Sequence, residues 1–210
     1  MSSSFFIAPI VEGHGEVQAV PILLKRLASD ATPHAQLWVN PALRVKAGSF
    51  INDNDYFKKY LELAARKARN AKPWPNSCVL ILLDCEDECP GELGPVLLEK
   101  AKACRSDVTI IVILAYREYE TWFLAAARSL RGVCGLPVDL DPPDNPELYR
   151  DAKGWLSANM NLPYNETDHQ PRMTAAFAFQ EAMAVDSFSR AVRKLHPFFQ
   201  TDVAETLPES

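Results

Sequence analysis

Acidic residues gather at three points where a run of apolar residues stops. Glu12 follows residues 5–11, Asp84 and Glu86 follow 78–83 with Asp87 beside them, and Glu118 and Glu120 follow 108–115. Carboxylates held side by side in a poorly solvated place repel each other, and a bound divalent cation keeps both ionised. Oxygen donors of this kind suit Mg²⁺ or Mn²⁺, with waters and a substrate phosphate completing the coordination. Asp84 and Glu86 are therefore the candidate metal ligands. Glu12 is a third ligand, or the general acid or base of a metal-assisted reaction at phosphorus. Glu16, Asp87, Glu118 and Glu120 are additional acids of the same neighbourhood. Gly13, His14 and Gly15 precede an expected helix, whose first N–H groups could hold a phosphate, although the lysine and length of a P-loop are missing. Arg117 is either a second phosphate ligand or one half of an ion pair at a helix start. The bland reading is that acids at strand ends cap the following helices or stay solvated.

These residues need a scaffold that brings distant segments together. The unbroken apolar run 78–83, rich in branched side chains, reads as a strand buried on both faces, and 108–115 reads the same way. Strands of that kind belong to parallel sheets, whose ligands sit beyond the carboxyl ends of the strands. If the chain stays extended past 83, Asp84 and Glu86 share one side and Cys85 takes the other. Residues 5–11 form a first strand in which Pro9 predicts an edge, a bulge or a distortion. Residues 17–27 carry the spacing of a helix packed on a sheet. A second strand within 36–45 is broken by Pro41, and Arg44 and Lys46 after it are candidate contacts for a nucleic-acid backbone. A helix over 54–71 ends in Arg66, Lys67, Arg69 and Lys72, and another spans 93–104. A helix also runs from the segment after 115 to about residue 130.

The alternation of strand and helix predicts an α/β fold, a Rossmann-like mostly parallel sheet flanked by helices. With the strands ordered so that the first lies beside the central one, Glu12 faces Asp84 across the switch point. The last third reads differently, as a Pro- and Asp-rich loop followed by short helices at about 147–158, 174–184 and 187–195. The chain is accordingly divided into a core at 1–132, a helical extension packed on it at 133–199, and a disordered acidic tail at 200–210.

The 210 residues allow one full α/β core, and 48% hydrophobic with 23% charged residues is the make-up of a globular protein. A net charge of −5 argues against coating nucleic acid by bulk electrostatics, though not against a local basic groove. The sequence has neither a run long and apolar enough for a membrane span nor the flanks of a signal peptide, which predicts a cytoplasmic protein. Five irregularly spaced cysteines predict free thiols, and Cys85 with Cys89 finds no matching pair for a zinc site.

Val11-Glu12-Gly13, Leu83-Asp84-Cys85-Glu86-Asp87 and Tyr116-Arg117-Glu118-Tyr119-Glu120-Thr121-Trp122-Phe123-Leu124-Ala125 together resemble the bacterial DUF4276 family, proteins similar to the Toprim domain. Gln170-Pro171-Arg172-Met173 and Ser187-Phe188-Ser189-Arg190 extend the resemblance over nearly the whole chain. It implies a Toprim-like core in which Glu12 takes the role of the Glu after the first strand. Asp84 and Glu86 take that of the Asp-x-Asp pair handling divalent metal and phosphodiester chemistry. It also implies a nuclease or other phosphohydrolase, nucleic acid as substrate, and an ABC-type ATPase as partner in a phage or plasmid defence setting. Glu86 stands where the Toprim pattern usually has Asp, which lengthens the reach by one methylene. The competing expectation is a non-catalytic module of the same fold that docks an ATPase or senses a nucleotide.

Overall fold

A computed structural model describes residues 3–201. The strands β1 (Ser4–Val11), β2 (Gln36–Val39), β3 (Leu43–Arg44), β4 (Asn76–Asp84) and β5 (Thr109–Ala115) form one sheet. The order is β2-β1-β4-β5, with β3 pairing the far end of β1, and every pair is parallel. The protein is thus α/β with a parallel sheet flanked by helices. Alternation along the strands explains the two apolar faces. Phe5, Ile7, Cys78, Leu80, Leu82, Ile111 and Ile113 enter one core, while Phe6, Ala8, Ile10, Val79, Ile81, Leu83, Val112 and Leu114 enter the other.

Helix α1 (Glu16–Ala31) packs on the first face through Ala19, Val20, Leu23, Leu24 and Leu27. The second face is covered by α3 (Asn54–Arg69), through Phe57, Leu61, Ala64 and Ala68, and by α4 (Pro90–Cys104), through Leu97 and Ala101. A short helix, α2 (Ala47–Asn52), precedes α3 and was not expected from the sequence. Asp53 caps α3, its Oδ1 accepting from the N–H groups of Asp55 at 2.9 Å and Tyr56 at 3.1 Å. The basic end of α3 is a solvated face: Arg66 pairs with Glu62, and Arg69 with Asp107.

Pro9 corrects one expectation. It lies in an interior strand, buried, and in register with Leu80 of β4. The carbonyls of Ile7 and Val11 accept from Asn40 and Val45, so the odd-numbered residues of β1 turn their polar groups toward β2 and β3. Pro9 falls between them, where β2 has ended and β3 has not begun. Its missing N–H therefore faces the break around Pro41, and no ladder bond is lost.

After β5 comes α5 (Thr121–Ala125), which gives way to a 3₁₀ turn at Ala127–Leu130 instead of running on as one helix. Beyond it, α6 (Ala152–Asn159) is capped by Asp151, and α7 (Glu166–Ala176) by Asn165. The short α8 (Phe179–Ala182) leads to α9 (Asp186–Phe199). The helix expected at 174–184 thus starts earlier, where Asn165 accepts from Thr167 and Asp168, and breaks at Phe177. Phe188, Leu195 and Phe199 of α9 join the same apolar cluster as Phe5 and Leu80. The C-terminal helices therefore complete the first face of the sheet beside α1. The expected disordered tail lies, from residue 202 on, outside the described residues.

Candidate functional site

Strands β1 and β4 are neighbours, with Val11 opposite Leu82, so the chain leaves both at the same edge as Glu12 and Asp84. The strand order reverses between them, α1 lying on one face and α3 and α4 on the other. A crevice at such a reversal is where open α/β sheets bind ligands. It is a cleft of about 460 Å³ here, lined by Glu12, Asp84 and Glu86, by Ala47, Gly48, Ile51 and Asn52 of α2, and by Cys85, Asp87, Glu88 and Leu93.

β4 stops at Asp84. Cys85 still donates its N–H to Ala115 at 3.0 Å and buries its side chain, but Glu86 adopts φ 45°. Strand geometry thus does not continue to Glu86, and a turn delivers its carboxylate to the cleft. Opposite it, Arg117 has φ 67°, and the two residues bridge backbone to backbone, Glu86 N–H donating to Arg117 at 3.2 Å. Two side-chain-bearing residues in the left-handed region, facing each other at a cleft rim, mark a conformation held by its surroundings.

Asp84 is half-buried at the strand end, and its Oδ1 accepts from the Tyr119 N–H at 2.8 Å. Burial, with Glu16 and Glu120 nearby, holds its carboxyl well above the usual aspartate range, against the pull of Lys153. Burial likewise raises Glu12, with Glu86 adding to it, although the Ala47 N–H lies 3.4 Å from its Oε1. Behind them sit two carboxyls that touch no solvent to speak of. Glu16 Oε2 accepts from the N–H groups of Glu12 at 3.0 Å and Gly13 at 3.1 Å. Glu120 Oε1 accepts from the Tyr164 hydroxyl at 2.9 Å and Gln170 Nε2 at 3.1 Å. Both are pushed up to about 7, chiefly by burial.

Lys153, at the start of α6, had no place in the sequence reading. Its N–H donates to Glu118 Oε2 at 3.2 Å, and its Nζ lies 3.9 Å from Glu120 Oε2 and 3.8 Å from Glu166 Oε2. Burial pulls the ammonium down, but Glu120, Asp84, Glu118 and Glu166 together carry it above the ordinary lysine range. Nothing local in the sequence points to it, because its partners are 35 residues away at Glu118 and elsewhere, reached only when α6 folds back.

The remaining candidates fall at different places. Gly13, His14 and Gly15 do not line the cleft, and the N–H groups of Glu12 and Gly13 are already taken by Glu16. His14 is solvated, its Nδ1 3.6 Å from Glu166. Arg117 pairs with Asp87, which Arg150 also reaches at 2.9 Å, so Asp87 is held by two guanidinium groups. Arg44 and Lys46 are exposed. Tyr119 is fully buried, with its hydroxyl 3.1 Å from Thr174 Oγ1, and is out of reach as a nucleophile. Trp122 and Phe123 are core.

None of the ion pairs among the described residues involves the carboxylate of Glu12, Asp84 or Glu86. Among those residues no three His, Cys, Asp or Glu side chains close on one point tightly enough to cage an ion. The donor chemistry nonetheless suits Mg²⁺, which usually takes one or two carboxylates together with waters and substrate phosphate. No helix among the described residues is long and apolar enough to cross a membrane. No protein-family model matches the chain, and no curated protein or solved structure is significantly similar to it.

Proposed function

We propose that the protein is a Toprim-like, divalent-cation-dependent phosphodiester hydrolase, a nuclease whose site is the cleft between the ends of β1 and β4. The observation that carries this reading is the meeting of Glu12, Asp84 and Glu86 in one cleft, none of them in an ion pair with a lysine or arginine among the described residues. Asp84 and Glu86 would hold Mg²⁺ or Mn²⁺. When bound, such an ion supplies charge to the phosphoryl oxygens and lowers the pKa of a ligated water. Glu12, its carboxyl raised by burial, is placed to exchange a proton, taking it from the attacking water or giving it to the leaving oxygen. Water is the favoured nucleophile because Tyr119 is enclosed and Tyr116, although partly exposed, does not line the cleft. In the balanced reaction, water oxygen bonds to phosphorus, the ester P–O bond breaks, and the leaving oxygen takes up a proton.

Nicking of supercoiled plasmid in Mn²⁺ tests this. Asp84→Asn and Glu12→Gln should each lower the rate roughly 10²-fold or more with unchanged circular dichroism. Equal rates in wild type and variants, or no nicking by the wild type on DNA or RNA, would reject it.

A second reading, a non-catalytic module that docks an ABC-type ATPase or senses a nucleotide, is favoured by the net charge of −5, which repels a polyanion. Under that reading the same substitutions leave capture of the ATPase unchanged and there is no nicking to lose.

A further inference from the structure

We infer that Arg117 and Arg150 form the seat for a phosphate group of the substrate strand, beside the acids of the cleft, and that Asp87 fills this seat until the strand displaces it. The inference rests on the cleft taking nucleic acid. It recasts Asp87, one more acid of the neighbourhood in the sequence, as the internal stand-in for a phosphate.

Asp87 lines the cleft together with Glu12, Asp84 and Glu86, and it also lines a second cavity of about 310 Å³ that includes Tyr116. A strand lying across both passes over this one side chain. Its carboxylate is shared, Arg117 Nη1 donating to Oδ1 and Arg150 Nη1 to Oδ2 at 2.9 Å. The two sides of the contact differ in freedom. Asp87 is 63% exposed and can swing into water, whereas the Arg117 side chain is only 12% exposed. Arg117 lies over the Tyr116 ring, 4.7 Å from its centroid, and its Nη1 also donates to the Glu86 carbonyl at 3.3 Å. The cation is therefore the fixed partner and the anion the movable one. The carboxylate also leaves donors over: each arginine gives it a single nitrogen, and the enclosed Nε of Arg117 has no hydrogen-bond partner. A phosphate group offers the oxygens that guanidinium forks take in pairs. Shared acids elsewhere lack these features. Asp141 is shared by Arg128 and Arg131, but all three are open to water and none lines the cleft. Arg105 is as enclosed as Arg117, yet it spends its Nε on Asp107.

Binding of a fluorescent single-stranded DNA oligonucleotide, read by anisotropy at low salt in EDTA so that no cleavage intervenes, tests it on the full chain. Asp87→Asn removes the competing charge and should bind at least about threefold more tightly than the wild type. Arg150→Gln, a change at an exposed side chain, should bind at least about fivefold more weakly. Asp141→Asn removes the same charge away from the cleft and should bind as the wild type does. A 5′-phosphorylated strand held more tightly by Asp87→Asn than its unphosphorylated twin assigns the seat to a terminal phosphate, and equal binding assigns it to an internal diester. Asp87→Asn binding no more tightly than the wild type or than Asp141→Asn overturns the inference, as does Arg150→Gln binding as the wild type does. Nicking in Mn²⁺ alongside that result removes the phosphate seat and keeps the nuclease. The predicted order of binding without nicking keeps the seat and removes the nuclease.

Discussion

Residues set the chemistry at this cleft through what surrounds them more than through what they are. Glu16 and Glu120 are ordinary carboxyls lifted from 4.5 to about 7, because the apolar body of the sheet and α7 leaves their charges poorly solvated. A carboxyl raised in the folded state binds its proton better there than in the unfolded chain. Its contribution to stability is therefore full below about pH 4.5 and is lost as pH rises through 7. Asp84 and Glu12 shift in the same direction and add to the effect. Metal-free protein should accordingly melt at lower temperature as pH rises from about 5 to about 8, by roughly 2–4 °C for each kcal/mol lost. Glu120→Gln keeps the acceptor for Tyr164 and Gln170 and should flatten that slope. Melting curves across this range check the point, and a variant with the wild-type slope would contradict it.

Elements explain why these side chains meet. The loop between β1 and α1 is pinned by Glu16, which reaches back to two N–H groups, and is roofed by α7. Gly15 is the point of closest approach. A Cβ there would press into the Gln170 side chain and the Glu166 backbone carbonyl, well inside contact distance. Because Gln170 also holds Glu120 and Glu166 faces Lys153, the strain would spread to the acids behind the cleft. Gly15→Ala should cost about 1–3 kcal/mol in urea unfolding, the range for overpacking a tight contact. A cost near zero would show that α7 does not bear on the loop.

The same elements separate what the sequence showed from what it hid. β4 and β5 were legible because a strand buried on both faces has no polar position to confuse the pattern, and the alternation of Leu80, Ile81, Leu82 and Leu83 between two cores bears that out. Helix α2 was not legible: with six residues it has too few turns to show a period, yet its Ala47 and Ile51 form a wall of the cleft. Glu86 was placed by assuming extension, whereas its left-handed backbone depends on the bridge to Arg117, a partner 31 positions away.

At the scale of the whole molecule, one long chain closes two apolar layers over a single parallel sheet. α9 lays Phe199 against Phe5 of β1 and Phe188 against Trp122 of α5, so the C-terminal third is part of the scaffold that carries Glu12 and Asp84. That third also supplies Lys153, Tyr164 and Gln170 to the buried acids. The reversal of strand order between β1 and β4 then sets the cleft at the carboxyl ends of these strands, with Glu12, Asp84 and Glu86 in its lining. Under the proposed function, a divalent cation binds in that cleft. The most direct measurement is a crystal soaked in Mn²⁺ and examined for anomalous scattering. A peak at ligand distance from an Asp84 oxygen, with Glu12 or Glu86 turned toward it, is the predicted result. Saturating Mn²⁺ that leaves no peak at Asp84, or settles elsewhere on the protein, would contradict the account.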